Sequence, residues 1–312
     1  MRAVTIREQE VLTDEFPDPV PGAGEVLVRV RAAGLNGADM MQRRGLYPAP
    51  AGSPQEIPGL ELAGEVQALG PAAERFNLGD RVMAIVGGGG QAELAVVHER
   101  QLMEVPAVLD GPAAGGLPEV FTTAHDALVT QAELTSGERL LVHGGAGGVG
   151  TAAIQLGRAM GAGVSATVRN QECHAQVAAL GATVLDPDDF VEHGPFDVIL
   201  ELVGAPNLPA NLQALASEGR ITVIGVSAGA KGELNLLALM AKRARIHGSM
   251  LRHRPLEDKA LTARRVEHDV LPLFESGVLE VPVAQTFALA DAAAAYDAFA
   301  AGGKLGKIVL TL

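Results

Sequence analysis

The chain has 312 residues, with 24 lysine and arginine residues against 37 aspartate and glutamate residues, so its net charge is −13. That charge repels phosphate backbones and argues against nucleic acid as a general partner. The single cysteine excludes an intramolecular disulfide and any zinc site built on two thiolates. At about 150 residues per domain the length predicts two domains, and a reducing cytoplasm is the expected location.

The first hundred or so residues contain short strand-like runs separated by turns. Residues 1–8 carry charge too early for a secretory signal and predict a first strand. Residues 25–31 alternate apolar and charged side chains, as a half-buried strand does. Further strands are expected at 62–68, 80–86 and 92–97. This pattern predicts an irregular β-barrel.

From about residue 118 the pattern changes to apolar strands that alternate with helices. Strands are predicted at 139–143, 163–168, 196–202 and 220–225, and helices at 149–161 and 171–180. This alternation predicts a parallel, doubly wound sheet. The longest uncharged run, 140–156, contains a glycine cluster and suits a phosphate-binding turn better than a membrane span.

The C-terminal part returns to a mixed character. Helices are predicted at 256–276 and 290–300, and a last strand at 307–312. The expected architecture is therefore α/β. We expect the doubly wound (Rossmann) domain to occupy 118–250 and to be inserted into the barrel-like domain, which comprises 1–117 and 251–312.

Residues 145–150 match the G-x-G-x-x-G pattern between a predicted strand and a predicted helix. The first glycine of such a run allows a tight turn, the second lets the backbone approach a pyrophosphate, and the third allows close packing of helix on strand. The diphosphate would meet free N–H groups at the helix N-terminus. The residues predicted to bind a dinucleotide here are Gly145, Gly147, Gly148, Val149 and Gly150.

The end of the second strand of this domain discriminates between the two nicotinamide cofactors. An NAD site would carry an acidic residue about 20 residues after the glycine run. This chain has Arg169 and Asn170 instead. Arg169 can form a charge-assisted pair with a 2′-phosphate, which favours NADP(H), with Asn170 assisting. The alternative is a solvated Arg169 and a ribose held by Glu172.

The whole chain resembles the medium-chain dehydrogenase/reductase superfamily, which implies a GroES-like catalytic domain around the Rossmann domain. Several segments narrow the resemblance to its zinc-free quinone oxidoreductases, closest to the tumour-suppressor-inducible group. Besides the glycine run, these segments are 34–47, 58–64, 89–93, 247–252 and 306–310.

The resemblance also shows where this chain departs from the zinc alcohol dehydrogenases. Their catalytic metal is held by a cysteine where this chain has Asn36, and by a histidine where it has Leu60, before Glu61. Neither replacement supplies the thiolate or imidazole of a tetrahedral zinc site. We therefore expect no metal. Without a Lewis acid, reduction of an electron-poor acceptor is easier than oxidation of an alcohol.

The resemblance implies further site residues. Asn36 and Asp39 map to the nicotinamide end of the cleft as candidate catalytic residues, and Asn36 also as a cofactor contact. Tyr47, the third candidate catalytic residue, maps to a substrate-side hydroxyl that can donate a proton. The alternatives are that Tyr47 only shields the cleft and that Asp39 is a helix N-terminal acid. Residues that face the cofactor in similar enzymes are Thr123, Gly225, Ser227, Ser249 and Arg252. Related NADPH enzymes often have a lysine at the position of Cys173, so here Arg169 lacks that support.

These observations predict an NADPH-dependent enzyme that reduces quinones. An enone reductase shares the same motifs, and a nucleotide-binding protein with little turnover belongs to a different class. The apolar stretches 236–240 and 246–250 suit a homodimer formed by joining sheet edges, as in relatives.

Overall fold

The computed structural model describes all 312 residues. The strands in chain order are β1 (Arg2–Arg7), β2 (Glu10–Glu15), β3 (Glu25–Gly34), β4 (Glu61–Leu69), β5 (Arg81–Ile85), β6 (Leu94–His98), β7 (Met103–Glu104), β8 (Arg139–His143), β9 (Gly163–Thr167), β10 (Thr183–Leu185), β11 (Phe196–Glu201), β12 (Leu215–Val223), β13 (Arg245–Gly248), β14 (Val283–Ala288) and β15 (Lys307–Thr311).

The α-helices in chain order are α1 (Gly37–Arg43), α2 (Gly111–Gly116), α3 (Pro118–His125), α4 (Gly148–Ala159), α5 (His174–Ala179), α6 (Leu208–Ala214), α7 (Leu236–Lys242), α8 (Leu256–Asp269), α9 (Leu271–Glu275) and α10 (Ala292–Ala301). A π-helical turn, Asp126–Gln131, continues α3, and a 3-10 turn, Gln171–Cys173, precedes α5. Further 3-10 turns lie at Phe190–His193, Ala205–Asn207 and Leu289–Asp291.

The chain forms two compact units. The first unit comprises Met1–Thr122, Leu251–Gly302 and Lys307–Leu312. The second unit comprises Thr123–Met250 and Gly303–Gly306.

The first unit is built on a mostly antiparallel sheet in the order β14-β15-β3-β4-β5-β7, with β6 also paired to β3 and a separate β1–β2 hairpin. Strand β3 shows why the sequence folds this way. Val26, Val28 and Val30 point into a buried apolar cluster, whereas Arg29 and Arg31, on either side of Val30, are exposed. Alternating burial of this kind is typical of a strand with one buried face and one solvent-exposed face.

The second unit is a six-stranded sheet in the order β10-β9-β8-β11-β12-β13, and all its neighbouring pairs run parallel. Starting from β8 as the first strand, this is the order 3-2-1-4-5-6 of the doubly wound dinucleotide-binding fold. The predicted fold class is therefore confirmed. The strand order reverses between β8 and β11, and their carboxyl ends form the crevice where such folds bind ligands.

One predicted helix is divided in the structure. The sequence suggested a single helix over 256–276, but α8 ends at Asp269 and α9 begins at Leu271. Pro272 has no N–H to donate and its ring disfavours helical backbone in the residue before it, so the hydrogen-bond ladder is interrupted there. None of the helices of the chain is both long and apolar enough to cross a lipid bilayer.

Candidate functional site

The glycine-rich loop connects β8 to α4 in the second unit. Strand β8 ends at His143, and Gly147 caps α4 in an extended conformation, with φ −74° and ψ 165°. The first N–H groups of a helix have no partner within it, and its N-terminus carries a positive partial charge. The residues predicted to bind a pyrophosphate, 145–150, therefore form one strand–loop–helix turn suited to an anion.

Two glycines of this loop are required by close packing. A Cβ atom on Gly150 would lie 2.3 Å from the Gly144 carbonyl oxygen and 2.9 Å from Gly145 Cα. A Cβ on Gly145 would lie 2.8 Å from the Cβ of Ala166 on β9. By contrast, a Cβ on Gly147 would meet its nearest neighbour at 3.4 Å, an ordinary contact. Packing within the chain therefore does not require a glycine at position 147.

The end of β9 presents Arg169 to solvent. The side chain of Asn170 is occupied by the protein: Oδ1 accepts the Glu172 N–H at 3.1 Å, and Nδ2 donates to the Gly303 carbonyl at 2.9 Å. Cys173 is buried beside it, with Asn170 Nδ2 3.6 Å from its Sγ atom. Of the two side chains predicted at a 2′-phosphate, only Arg169 extends into solvent.

The other predicted cofactor residues of the second unit lie on elements other than the glycine-rich loop and the end of β9. Gly225 follows β12, and a Cβ there would lie 2.3 Å from the Leu202 carbonyl oxygen. Ser227 is exposed, and its hydroxyl donates to the Val203 carbonyl at 3.5 Å. Ser249 follows β13 and donates to Asp126 Oδ2 at 3.0 Å. Thr123 is buried on α3.

A buried ion pair lies at Asn36 in the first unit. Lys307 Nζ donates to Glu61 Oε1 at 2.6 Å, to Asn36 Oδ1 at 2.7 Å and to the Leu35 carbonyl at 2.7 Å. Asn36 Nδ2 donates to the same Glu61 oxygen at 2.9 Å. A Cβ on Gly34 would lie 2.3 Å from that oxygen, so the glycine makes room for the carboxylate. The amide of Asn36, a predicted catalytic residue, is therefore held by protein groups.

Asp39 lies in the first turn of α1 and is completely buried. Its Oδ2 accepts the Asn36 N–H at 2.8 Å, and its Oδ1 accepts the Gly59 N–H at 3.2 Å. Burial raises the pKa of this carboxyl to about 6, although both hydrogen bonds and the charges of Lys307 and Arg252 oppose the rise. These contacts are those of the helix N-terminal acid that the sequence left open as an alternative.

Tyr47 is half-buried beside Arg252. The Arg252 guanidinium lies 5.0 Å from the centre of the Tyr47 ring, and its Nη1 donates to the Tyr47 carbonyl at 2.9 Å. The same guanidinium also donates to the Gly87 carbonyl and to Gln42 Oε1, so each of its three nitrogens has an acceptor in the first unit. Burial raises the pKa of the Tyr47 phenol, which therefore keeps its proton at neutral pH. The arrangement fixes the ring and leaves a protonated hydroxyl.

The sequence reasoning missed the roles of Lys307 and Glu61. A signal was present, because Lys307 opens the otherwise apolar run 307–310 and Glu61 opens the apolar end of β4. An isolated charge in a buried strand needs a partner of opposite charge. The sequence alone could not tell which two such residues meet. No group of three or more histidine, cysteine, aspartate or glutamate side chains in the chain is arranged to hold a metal ion.

Two protein families match parts of this chain. The alcohol dehydrogenase GroES-like domain matches residues 22–107, and the zinc-binding dehydrogenase family matches residues 180–310. A quinone oxidoreductase from Pseudomonas aeruginosa is 34% identical over 95% of this chain and 94% of its own length. The human quinone oxidoreductase is 31% identical over 100% of this chain and 98% of its own length.

A solved structure agrees with these matches. An alcohol dehydrogenase superfamily protein from Novosphingobium aromaticivorans superimposes with a TM-score of 0.89 at 32% identity, covering 100% of this chain and 99% of its own. The similarity therefore extends over both units of the chain.

Proposed function

Because this chain belongs to the quinone oxidoreductases of the medium-chain dehydrogenase/reductase superfamily, we propose that it reduces quinones with NADPH and without a metal ion. Membership makes it an oxidoreductase that uses a nicotinamide cofactor. The choice of NADPH, the absence of a metal and the acceptor are the proposed parts. The observation that carries the metal-free part of the proposal is the Lys307 ammonium, which lies 2.6 Å from Glu61 Oε1 and neutralises that buried carboxylate.

The second unit suits the cofactor. The N-terminus of α4 offers its N–H groups to a diphosphate, and the small loop residues let the backbone approach it. Arg169 supplies a cation at the end of β9, where a 2′-phosphate would lie. The acidic residue of an NAD site is replaced there by Arg169, and the nearest carboxylate along the chain, Glu172, lies three residues further on.

The residues of the first unit do not suit a zinc ion. Asn36 and Leu60 replace the usual thiolate and imidazole ligands, and the remaining carboxylate, Glu61, is neutralised by Lys307 at 2.6 Å. A second cation at that oxygen would be repelled. We therefore assign no step of the reaction to a metal.

A quinone accepts hydride readily because the charge that develops spreads onto its own oxygens. Bound NADPH supplies the hydride. The protein then has to orient the acceptor and stabilise an oxyanion. We assign the second role to the Tyr47 hydroxyl, which stays protonated and whose ring is fixed by Arg252. Asn36 and Asp39 act as positioning residues, since their side-chain atoms are engaged by the protein.

NADPH oxidation with a panel of quinones and enones tests the function. We expect turnover with quinones in the presence of excess chelator, and faster than with enones of similar size. Faster turnover with enones would identify an enone reductase instead. Cofactor binding without oxidation by any acceptor would refute the enzymatic assignment.

Arg169→Ala tests the cofactor preference. We expect the variant to lose about tenfold to a hundredfold in NADPH affinity, the value of a hydrogen bond to a charged group, and to bind NADH as the wild type does. Isothermal titration of both cofactors measures this. The matched control is Arg158→Ala, on α4. Tighter binding of NADH than NADPH by the wild type would overturn the preference.

Tyr47→Phe tests the hydroxyl. We expect kcat with a quinone to fall about tenfold, because one hydrogen bond to the developing oxyanion is lost, while the KM for NADPH is unchanged. Steady-state kinetics at saturating cofactor separates the two parameters. If the phenylalanine variant keeps full turnover, Tyr47 only shapes the acceptor site.

We also propose a homodimer formed through the second unit. Strand β13 is the outer strand of its sheet, and the neighbouring helix α7 has no buried residue; its Leu237 is 74% exposed and Met240 70% exposed. An open edge beside an apolar surface favours pairing with a second copy. Sedimentation should give a dimeric mass at micromolar concentration, and Leu237→Lys should reduce it to a monomer. A monomeric wild type would refute this.

A further inference from the structure

Four buried polar side chains form a continuous hydrogen-bonded chain across the second unit. Thr167 Oγ1 lies 3.0 Å from His143 Nδ1, and His143 Nε2 lies 2.7 Å from Asn211 Oδ1. Asn211 Nδ2 donates to Glu201 Oε2 at 2.6 Å. None of the four is more than 3% exposed. We refer to these residues, Thr167, His143, Asn211 and Glu201, as the relay.

The donor and the acceptor of every hydrogen bond in the relay follow from the carboxylate at one end, Glu201. The Glu201 carboxylate can only accept, so Asn211 must present its NH₂ group to it and its oxygen to His143. His143 therefore carries its proton on Nε2 and accepts the Thr167 hydroxyl proton at Nδ1. Burial lowers the pKa of His143, which keeps the ring neutral as this pattern requires.

The relay joins the carboxyl ends of three neighbouring strands. Thr167 ends β9, His143 ends β8 immediately before the glycine-rich loop, and Glu201 ends β11. In a parallel sheet these ends lie on one edge, and β8 and β11 flank the point where the strand order reverses. The relay thus lies directly under the loops that bind the dinucleotide.

Glu201 also fixes the loops on the far side of that reversal. Its Oε1 accepts the Val203 N–H at 2.7 Å and the Gly204 N–H at 2.8 Å. Its main-chain carbonyl accepts the N–H groups of Ile224 and Gly225, at 3.0 and 3.1 Å. The side chain therefore holds the loop after β11, whereas the loop after β12 is held by a main-chain carbonyl that any residue at this position would supply.

We propose that Glu201 is a positioning residue for the nicotinamide half of the cofactor: its carboxylate fixes the loop after β11, and the relay holds that carboxylate in place. In a doubly wound sheet the first three strands form one mononucleotide-binding half and the last three form the other. The loop that the Glu201 side chain holds belongs to the second half. The adenosine half of a bound dinucleotide would lie over β8, β9 and β10. This inference rests on the proposed function only for the identity of the cofactor.

The central test replaces Glu201 with methionine, which has a similar volume but accepts no strong hydrogen bond. Val203 N–H, Gly204 N–H and the Asn211 amide would all lose their acceptor. We expect the Kd for NADPH to rise at least about tenfold, which equals about 1.4 kcal/mol. We expect the KM for the quinone to stay within about twofold of the wild type, since the loops belong to the cofactor site.

Fragments of the cofactor show which half is affected. Titration with reduced nicotinamide mononucleotide should be weakened by Glu201→Met to the same degree as NADPH. Adenosine 2′,5′-bisphosphate and adenosine 5′-monophosphate should bind the variant as they bind the wild type. If NADPH is the wrong cofactor, the wild type will bind adenosine 2′,5′-bisphosphate no more tightly than adenosine 5′-monophosphate. The ratio of variant Kd to wild-type Kd for each fragment does not depend on that outcome. Equal weakening of all fragments would overturn the proposal.

The conservative variant Glu201→Gln should restore most of the affinity. Its amide oxygen can accept the Val203 and Gly204 N–H groups, while its NH₂ group faces Asn211. Asn211 can then turn its amide, His143 can move its proton to Nδ1, and Thr167 can accept it, so the relay runs in the opposite direction. A glutamine variant as weak as the methionine variant would contradict this account.

Glu138→Met is the matched control for a purely structural loss. Glu138 is a carboxylate of the same unit that accepts two hydrogen bonds from Arg220, but it precedes β8 at the opposite end of the sheet. We expect its melting temperature to fall while its affinity for NADPH is kept. If it loses as much affinity as Glu201→Met, the effect is general destabilisation and the proposal fails.

Asn211→Ala provides a second test should Glu201→Met not fold. It interrupts the relay but leaves the Glu201 bonds to Val203 and Gly204 in place. We expect it to weaken NADPH and reduced nicotinamide mononucleotide about threefold, the value of one neutral hydrogen bond. Unchanged affinity for both would remove the relay from the proposal.

Discussion

Lys307→Met is expected to lose about 3–5 kcal/mol of unfolding free energy, because it leaves the buried Glu61 carboxylate without its counter-ion. Lys307 Nζ donates three hydrogen bonds, to Glu61, Asn36 and the Leu35 carbonyl. All three acceptors remain buried in the variant. Urea unfolding followed by circular dichroism measures the change, since the chain has no tryptophan for fluorescence.

Arg31→Met is the matched control for that variant. Arg31 also pairs with a glutamate of the first unit, Glu65, at 3.0 Å, but the two side chains are 48% and 45% exposed. An exposed pair of this kind contributes less than about 1 kcal/mol. The double variant Lys307→Met/Glu61→Leu removes both charges and should regain part of the loss. If Lys307→Met unfolds no more easily than Arg31→Met, the buried pair does not support this unit.

Gly150→Ala is expected to weaken NADPH binding by at least about a hundredfold, the value of one to two hydrogen bonds to a charged phosphate. Its Cβ would lie 2.3 Å from the Gly144 carbonyl oxygen, so the loop must move and α4 can no longer present its first N–H groups. The collision also exists without cofactor. The melting temperature of the free protein should therefore fall as well, which calorimetry measures alongside the Kd.

Two other glycines separate packing from ligand approach. Gly147→Ala places its Cβ 3.4 Å from the nearest atom and should keep the melting temperature while it weakens NADPH. Gly163→Ala, at the start of β9, has its nearest neighbour at 3.9 Å and should change neither quantity. A Gly150→Ala variant with normal affinity and stability would contradict the close packing of the loop.

Much of the fold could be predicted because local patterns encode it. The alternation at β3 predicted a strand with one buried face, and the run 145–150 between an apolar strand and a helix predicted a dinucleotide-binding turn. The helix over 256–276 was predicted too long, since helical periodicity continues across Pro272 while the backbone hydrogen bonds do not. The local sequence pattern thus predicted which helices and strands are present more accurately than it predicted the residues at which they end.

In the candidate site, too, single residues could be predicted from the sequence but their distant partners could not. Single residues with a known chemistry, such as Arg169 and Tyr47, were recognisable without coordinates. The partners of Asn36 were not, because Glu61 and Lys307 lie 25 and 271 positions from it in sequence. The relay was equally hidden, since its members come from three strands and one helix.

By itself, the sequence determined the fold class, the location of the glycine-rich loop and the absence of the usual zinc ligands, because these depend on residue type and short spacing. Only the tertiary structure decided which buried charges form ion pairs and which buried polar groups are hydrogen-bonded to each other. The physical reason is that a buried charge or amide is stable only with a partner. In the linear sequence, many distant residues of the right type are equally suitable as that partner. Folding selects the partner by bringing strand ends together.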